Sequence, residues 1–215
     1  MTLDRIVAFA ECVTMLESLS NFILDLDYTI IQWVQTTSTP WQDQFFPWIT
    51  DLHKTALFNW MAIPLLLFFF YKKFNRTGIS LFLILLLALA FGDFMGSKVK
   101  NHFVRPRPFQ NNEIHVMQKS PAGSKSFYSN HASNMFTFAT YTSAFFPAAR
   151  IPVYGVALLV CYSRIYNGVH YPSDVFAGGI MGTLWGLLFA SIARRILKKL
   201  NSKKEESNES SSHGS

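Results

Sequence analysis

The sequence predicts an all-α integral membrane protein: a helical bundle with five spanning helices and N-terminal amphipathic helices lying in the interface. Charged residues make up only 15% of the 215-residue chain, whereas a soluble domain carries about 25%. The apolar residues, half of the total, are gathered into long runs. Inside lipid every backbone N–H and C=O must be paired within the protein. The runs lack the alternation of a closed barrel, so helices are the remaining solution.

The five expected spans are Thr55–Tyr71, Ile79–Phe94, His131–Phe146, Ile151–Tyr166 and Val175–Ile192. Each falls slightly short of the roughly 20 residues that cross a hydrocarbon core, so flanking residues must add a turn. Residues 1–53 read differently, because Asp25 and Asp27 interrupt the apolar run from Phe22 to Val34. An aspartate at mid-bilayer costs roughly 2.5–3.5 kcal/mol. One or two interfacial helices are expected there, with Trp33, Trp41 and Trp48 as headgroup-level anchors; a sixth span in this region stays open. The opening residues lack a clean signal-peptide core, so insertion through the protein's own helices is expected. Residues 54–194 form the membrane-embedded domain, and 195–215 a basic, then disordered, Ser-, Lys- and Glu-rich tail.

The net charge of +6 does not indicate nucleic acid, since the basic residues flank apolar runs or lie in the tail. Two cysteines, Cys12 and Cys161, make no disulfide framework and lack metal-ligand spacing. Five spans divide the Lys and Arg residues almost evenly, ten against nine. The positive-inside rule weighs short loops and helix-flanking segments. It favours a cytoplasmic location for the side holding Lys72, Lys73, Arg76, Arg150 and the 194–204 cluster.

Alternating spans put three polar clusters on the opposite side. The first runs from Lys98 to Pro108, the second from Ser126 to Ala132, the third from Ser163 to Asp174. Their residue types suit phosphoryl transfer, in which negative charge spreads over three equatorial oxygens and calls for fixed cationic donors. Lys100, Arg107 and Arg164 supply cations, the arginines with bidentate geometry. Ser129 adds a hydroxyl, and the Ser129–Asn130–His131 backbone sits at a helix start, where exposed N–H groups favour an anion. A neutral His170 can attack phosphorus, with Asp174 accepting its other ring N–H. His131 can protonate the leaving oxygen. No carboxylate cluster is visible, so the expected chemistry uses neither metal nor cofactor.

These clusters resemble the motifs of the type 2 phosphatidic acid phosphatase superfamily, K-x6-R-P, P-S-G-H and S-R-x5-H-x3-D, over roughly residues 22–192. The third motif is complete from Ser163 to Asp174. The first fits two registers, Lys98 with Arg105-Pro106 and Lys100 with Arg107-Pro108. Similar members place the second arginine of an R-P-R-P run in the motif, which favours Lys100 and Arg107. In the second motif Tyr128 replaces proline and Asn130 replaces glycine, while Ser129 and His131 are kept. The resemblance implies a membrane lipid phosphatase working through a phosphohistidine, without metal, at the extracytoplasmic face of the inner (plasma) membrane. Its compact layout is similar to small undecaprenyl-diphosphatases, which makes undecaprenyl diphosphate the first expected substrate. Phosphatidylglycerol phosphate, lipid A phosphates, or phosphotransfer to another acceptor are the alternatives. Oligomeric state is not fixed by the sequence.

Overall fold

A computed structural model of the chain describes residues 3–123 and 125–212. It is all-helical, with no strand among the described residues. The helices are α1 (Leu3–Thr36), α2 (Pro40–Asp51), α3 (Ala56–Phe74), α4 (Arg76–His102), α5 (Asn130–Phe145), α6 (Arg150–Tyr166) and α7 (Pro172–Ser212).

Local signals explain most helix ends. Pro40 opens α2, and the Gln42 side chain accepts from the Thr39 N–H at 3.0 Å. The Thr55 hydroxyl accepts from the Phe58 N–H at the start of α3. Asn75, at φ 55°, makes the single-residue turn between α3 and α4. Gly168 lies at φ 68° just beyond α6, where a Cβ would meet the Met117 carbonyl. That turn allows the chain to reverse between α6 and α7 within five residues.

Among the described residues, four helices are long and apolar enough to cross a membrane: Ala56–Phe74, Arg76–His102, Pro147–Tyr166 and Pro172–Leu200. The expected span beginning at His131 corresponds to α5, a 16-residue helix outside that set. It packs against α4, α6 and α7, so protein rather than lipid covers most of its surface. Buried Ser133, Thr137, Thr140, Thr142 and Ser143 are tolerated there for that reason.

The most extensive helix contact among the described residues is between α5 and α7. Gly178, Gly182 and Gly186, four residues apart, present backbone to the Ser129, Ser133 and Thr137 carbonyls of α5. The Thr137 hydroxyl donates to the Gly182 carbonyl at 3.1 Å. A Gly182→Val change would drive its side chain into the Ser133 backbone. It is expected to lower stability by about 1–3 kcal/mol, read as a lower thermal midpoint in detergent. Below this seam lies the apolar core of Phe70, Leu81, Leu85, Tyr141, Phe145 and Phe189.

The N-terminal region forms one 34-residue helix and a 12-residue one. The second half of α1 is docked: Ile31 packs with Ile114 and Tyr171, and Val34 with Phe46 and Tyr166. Trp33, Trp41 and Trp48 are exposed. The tail expected to be disordered from Asn201 instead continues α7 as helix to Ser212. Lysine and glutamate, which fill much of it, are good helix formers. Residues 213–215 lie outside the described residues.

Candidate functional site

The three polar clusters meet at one end of the bundle, where α4 and α6 end and α5 and α7 begin. Lys100 stands on the last turn of α4, buried, with its ammonium donating to the Tyr128 carbonyl and, at 3.5 Å, to that of Ser126. That contact draws the segment leading into α5 against α4. Ser129 caps α5, its hydroxyl accepting from the Ala132 N–H and its own N–H donating to the Asp174 carbonyl at 3.0 Å. The start of α5, with half-buried His131 as its second residue, is thereby pinned to the first turn of α7.

His170 lies in the short turn before α7 and is almost fully buried. Its Nε2 is 3.3 Å from Nη1 of Arg107. A guanidinium has no acceptor and stays protonated, so it donates to the Nε2 lone pair. The ring proton then resides on Nδ1, which lies 3.6 Å from Asp174 Oδ2. This is electrostatic reach rather than a formed hydrogen bond. Burial pushes the imidazole well below its ordinary pKa, and Asp174 opposes only part of that shift. The ring is accordingly a neutral base with its lone pair directed at a cation.

Asp174 is fully buried and well held. Oδ1 accepts from Arg105 at 2.7 Å, and Oδ2 from the Ser126 hydroxyl at 2.5 Å and the Tyr171 N–H at 2.9 Å. Arg107 also gives a 2.6 Å hydrogen bond to the Val169 carbonyl, and burial lowers its pKa. Arg164, at the end of α6, is buried and donates to the Thr50 hydroxyl of α2 at 2.9 Å, while its buried Nε has no hydrogen-bond partner among the described residues. Lys100, Arg107 and Arg164 thus bring three cations around His170 and Asp174, the arrangement a phosphoryl group calls for.

The two registers of the first motif separate cleanly. Lys98 is exposed over the Phe94 ring, whereas Lys100 is buried at the site. Arg105 is committed to Asp174 and Asp27, whereas Arg107 faces His170. Asn130 directs its side-chain amide to Asp93 at 3.2 Å, leaving its backbone N–H as the group at the helix start. Ser163 of the third motif bonds back to the Val160 carbonyl within its own helix.

Several residues carry supporting roles that the sequence does not assign to them. Arg105 and Ser126 bond to Asp174 directly, Asp27 and Ser173 bond to Arg105, and Thr50 holds Arg164. The signal for Asp27 was present: a carboxylate inside an apolar run calls for a partner. That partner lies 78 positions further along, and spacing cannot reveal it.

The PAP2 superfamily model matches residues 81–198, more than half of the chain. The chain belongs to the PAP2 superfamily. Among PAP2 proteins it is similar to the lipid A 4'-phosphatase of Porphyromonas gingivalis, 29% identical over 77% of this chain and 72% of that one. It also resembles the undecaprenyl-diphosphatase of Sulfolobus acidocaldarius, 32% identical over 62% of this chain and 63% of the relative. The crystal structure of the PAP2-type phosphatidylglycerolphosphate phosphatase of Bacillus subtilis shares the fold, with a TM-score of 0.67 at 22% identity, covering 89% of this chain and 96% of that one. The protein is a multi-pass membrane lipid phosphatase of the PAP2 type, as the sequence motifs implied.

Proposed function

We propose that this PAP2 phosphatase removes a phosphate from lipid A, a phosphorylated glycolipid, through a phosphohistidine on His170. The observation that carries the chemistry is the two-sided fixing of His170, with Nε2 toward Arg107 and Nδ1 toward Asp174. In this reading Nε2 attacks phosphorus and the P–O bond to the lipid breaks. His131 supplies the proton to the leaving oxygen. Lys100, Arg107 and Arg164, with the Ser129 hydroxyl and the Asn130 N–H, hold the phosphoryl oxygens. His131 then takes a proton from water, which cleaves the P–N bond and releases inorganic phosphate. Asp174 keeps the Nδ1 proton in place and stabilises the positive ring. The active site faces the extracytoplasmic side of the inner membrane, so that the phosphate enters while the acyl chains stay in the bilayer.

Undecaprenyl diphosphate, the first expectation from the sequence, becomes the second reading. The lipid A 4'-phosphatase similarity extends over more of both chains than the undecaprenyl-diphosphatase similarity does. Purified protein in mixed micelles, given lipid A bisphosphate, undecaprenyl diphosphate and phosphatidylglycerol phosphate, ranks the three. The expected result is the highest kcat/KM on lipid A, with one phosphate lost by mass spectrometry. A preference for the diphosphate would overturn the substrate assignment while leaving the phosphohistidine chemistry intact.

A further inference from the structure

We infer that Asp27 of α1 is a positioning residue of this active site, acting on His170 through Arg105 and Asp174; the inference rests on the phosphohistidine reading above. Asp27 is 1% exposed and lies outside the residues that match the family model. Its Oδ2 accepts from Arg105 Nη2 at 2.7 Å, while Arg105 Nη1 reaches Asp174 Oδ1, also at 2.7 Å. One guanidinium is therefore shared between two buried carboxylates, and its Cζ lies over the Tyr171 ring, 4.0 Å from the ring centre. Asp27 further accepts the Ser173 N–H at 2.8 Å and the Ser173 hydroxyl at 2.5 Å. It thus holds both the arginine and the first turn of α7 that carries Asp174.

The charge balance gives this arrangement a consequence for the reaction. Attack by Nε2 makes the His170 ring positive, and a negative group on its Nδ1 side, away from the cations that hold the phosphate, stabilises that change. Arg105 and Asp174 alone form a neutral pair. With Asp27 the trio carries a net charge of −1, so Asp174 Oδ2 keeps its negative charge toward Nδ1. Asp27 draws the guanidinium to Oδ1, on the far side of Asp174, so that Oδ2, held by the Ser126 hydroxyl and the Tyr171 N–H, is the oxygen that faces Nδ1.

A purely structural tie between α1 and the bundle makes a different prediction, because it would not depend on Asp174. The test is kcat and KM of the purified full chain in lipid mixed micelles for Asp27→Asn, Asp174→Asn and the double variant. Asparagine keeps the shape of the side chain and an acceptor for Ser173. Asp27→Asn is expected to lower kcat about 10- to 100-fold, the range for groups that orient a reacting ligand, with KM within about twofold. In the Asp174→Asn background it should add almost nothing. Exposed Asp25→Asn should behave as wild type. A wild-type kcat for Asp27→Asn would overturn the inference, as would a loss that multiplies fully with that of Asp174→Asn. If Asp27→Asn does not fold, Arg105→Lys decides, since a lysine keeps the charge but cannot bridge both carboxylates. It should show the same kcat loss, and a wild-type kcat would refute the coupling. Failure of the underlying reading looks different: wild-type protein would release no phosphate, or His170→Gln would retain turnover.

Discussion

Replacing His170 by glutamine is expected to reduce turnover by about 10⁴-fold or more, as removing the nucleophile does where one residue forms the covalent intermediate. Glutamine fills a similar space and can still accept from Arg107, so the phosphate-holding side chains should stay in place. Lipid binding by the variant should therefore remain near wild type while phosphoenzyme formation disappears. Full turnover in this variant would refute the mechanism. The same substitution has a second readout. His170 is buried and neutral, its pKa held below the ordinary value by desolvation. The unfolded chain binds a proton near pH 6.5, while the folded site refuses it. The unfolded state then holds more protons than the folded one, and stability falls as pH drops below about 6.5. His170→Gln has no such proton to take up, so its midpoint should fall less steeply over that range. Equal slopes would place the ring in a more polar setting than the fold provides.

The unequal legibility of the site follows from how each part is built. Arg164, His170 and Asp174 lie within eleven residues, at the end of one helix and the start of the next. Their spacing alone brings them together, and the sequence motif is a direct image of that geometry. Lys100 and Arg107 were ambiguous by spacing because the R-P-R-P run repeats with period two. Burial separates the registers, since Lys98 and Lys100 stand about 200° apart around α4, one facing outward and the other the site. The fold class was legible from apolar runs; the inner position of α5, whose hydroxyls are buried against its neighbours, was not. Least legible was the N-terminal region. Its aspartates were read as arguments against burial, yet Asp27 is buried because Arg105 and Ser173 satisfy it. A single chain offers no local sign of a partner that far away. Asp43 illustrates the same limit: it joins Lys119 at 2.6 Å and the Tyr166 hydroxyl at 2.6 Å, tying α2 to the long loop and to α6.

His131→Ala is expected to lower kcat on a lipid phosphate by about 10²- to 10⁴-fold, the range for losing a positioned proton donor. The residue opens α5 beside Ser129, whose N–H is bonded to the Asp174 carbonyl. In the proposed reaction it faces the oxygen that leaves, whereas His170 faces phosphorus. That division can be tested through the leaving group itself. An alkoxide leaving from a lipid needs a proton as the P–O bond breaks. An aryl phosphate with an acidic phenol leaves as a stable anion and needs much less help. The variant should therefore lose far less activity on the aryl ester than on the lipid during phosphoenzyme formation, while His170→Gln should be equally inactive on both. With the aryl ester the slow step of the variant should become hydrolysis of the phosphohistidine, because the same imidazole then serves as base toward water. A burst of phenol equal to the enzyme concentration, followed by slow release of phosphate, is the expected signature. Equal losses on both esters with no burst would mean that His131 holds the phosphate and moves no proton.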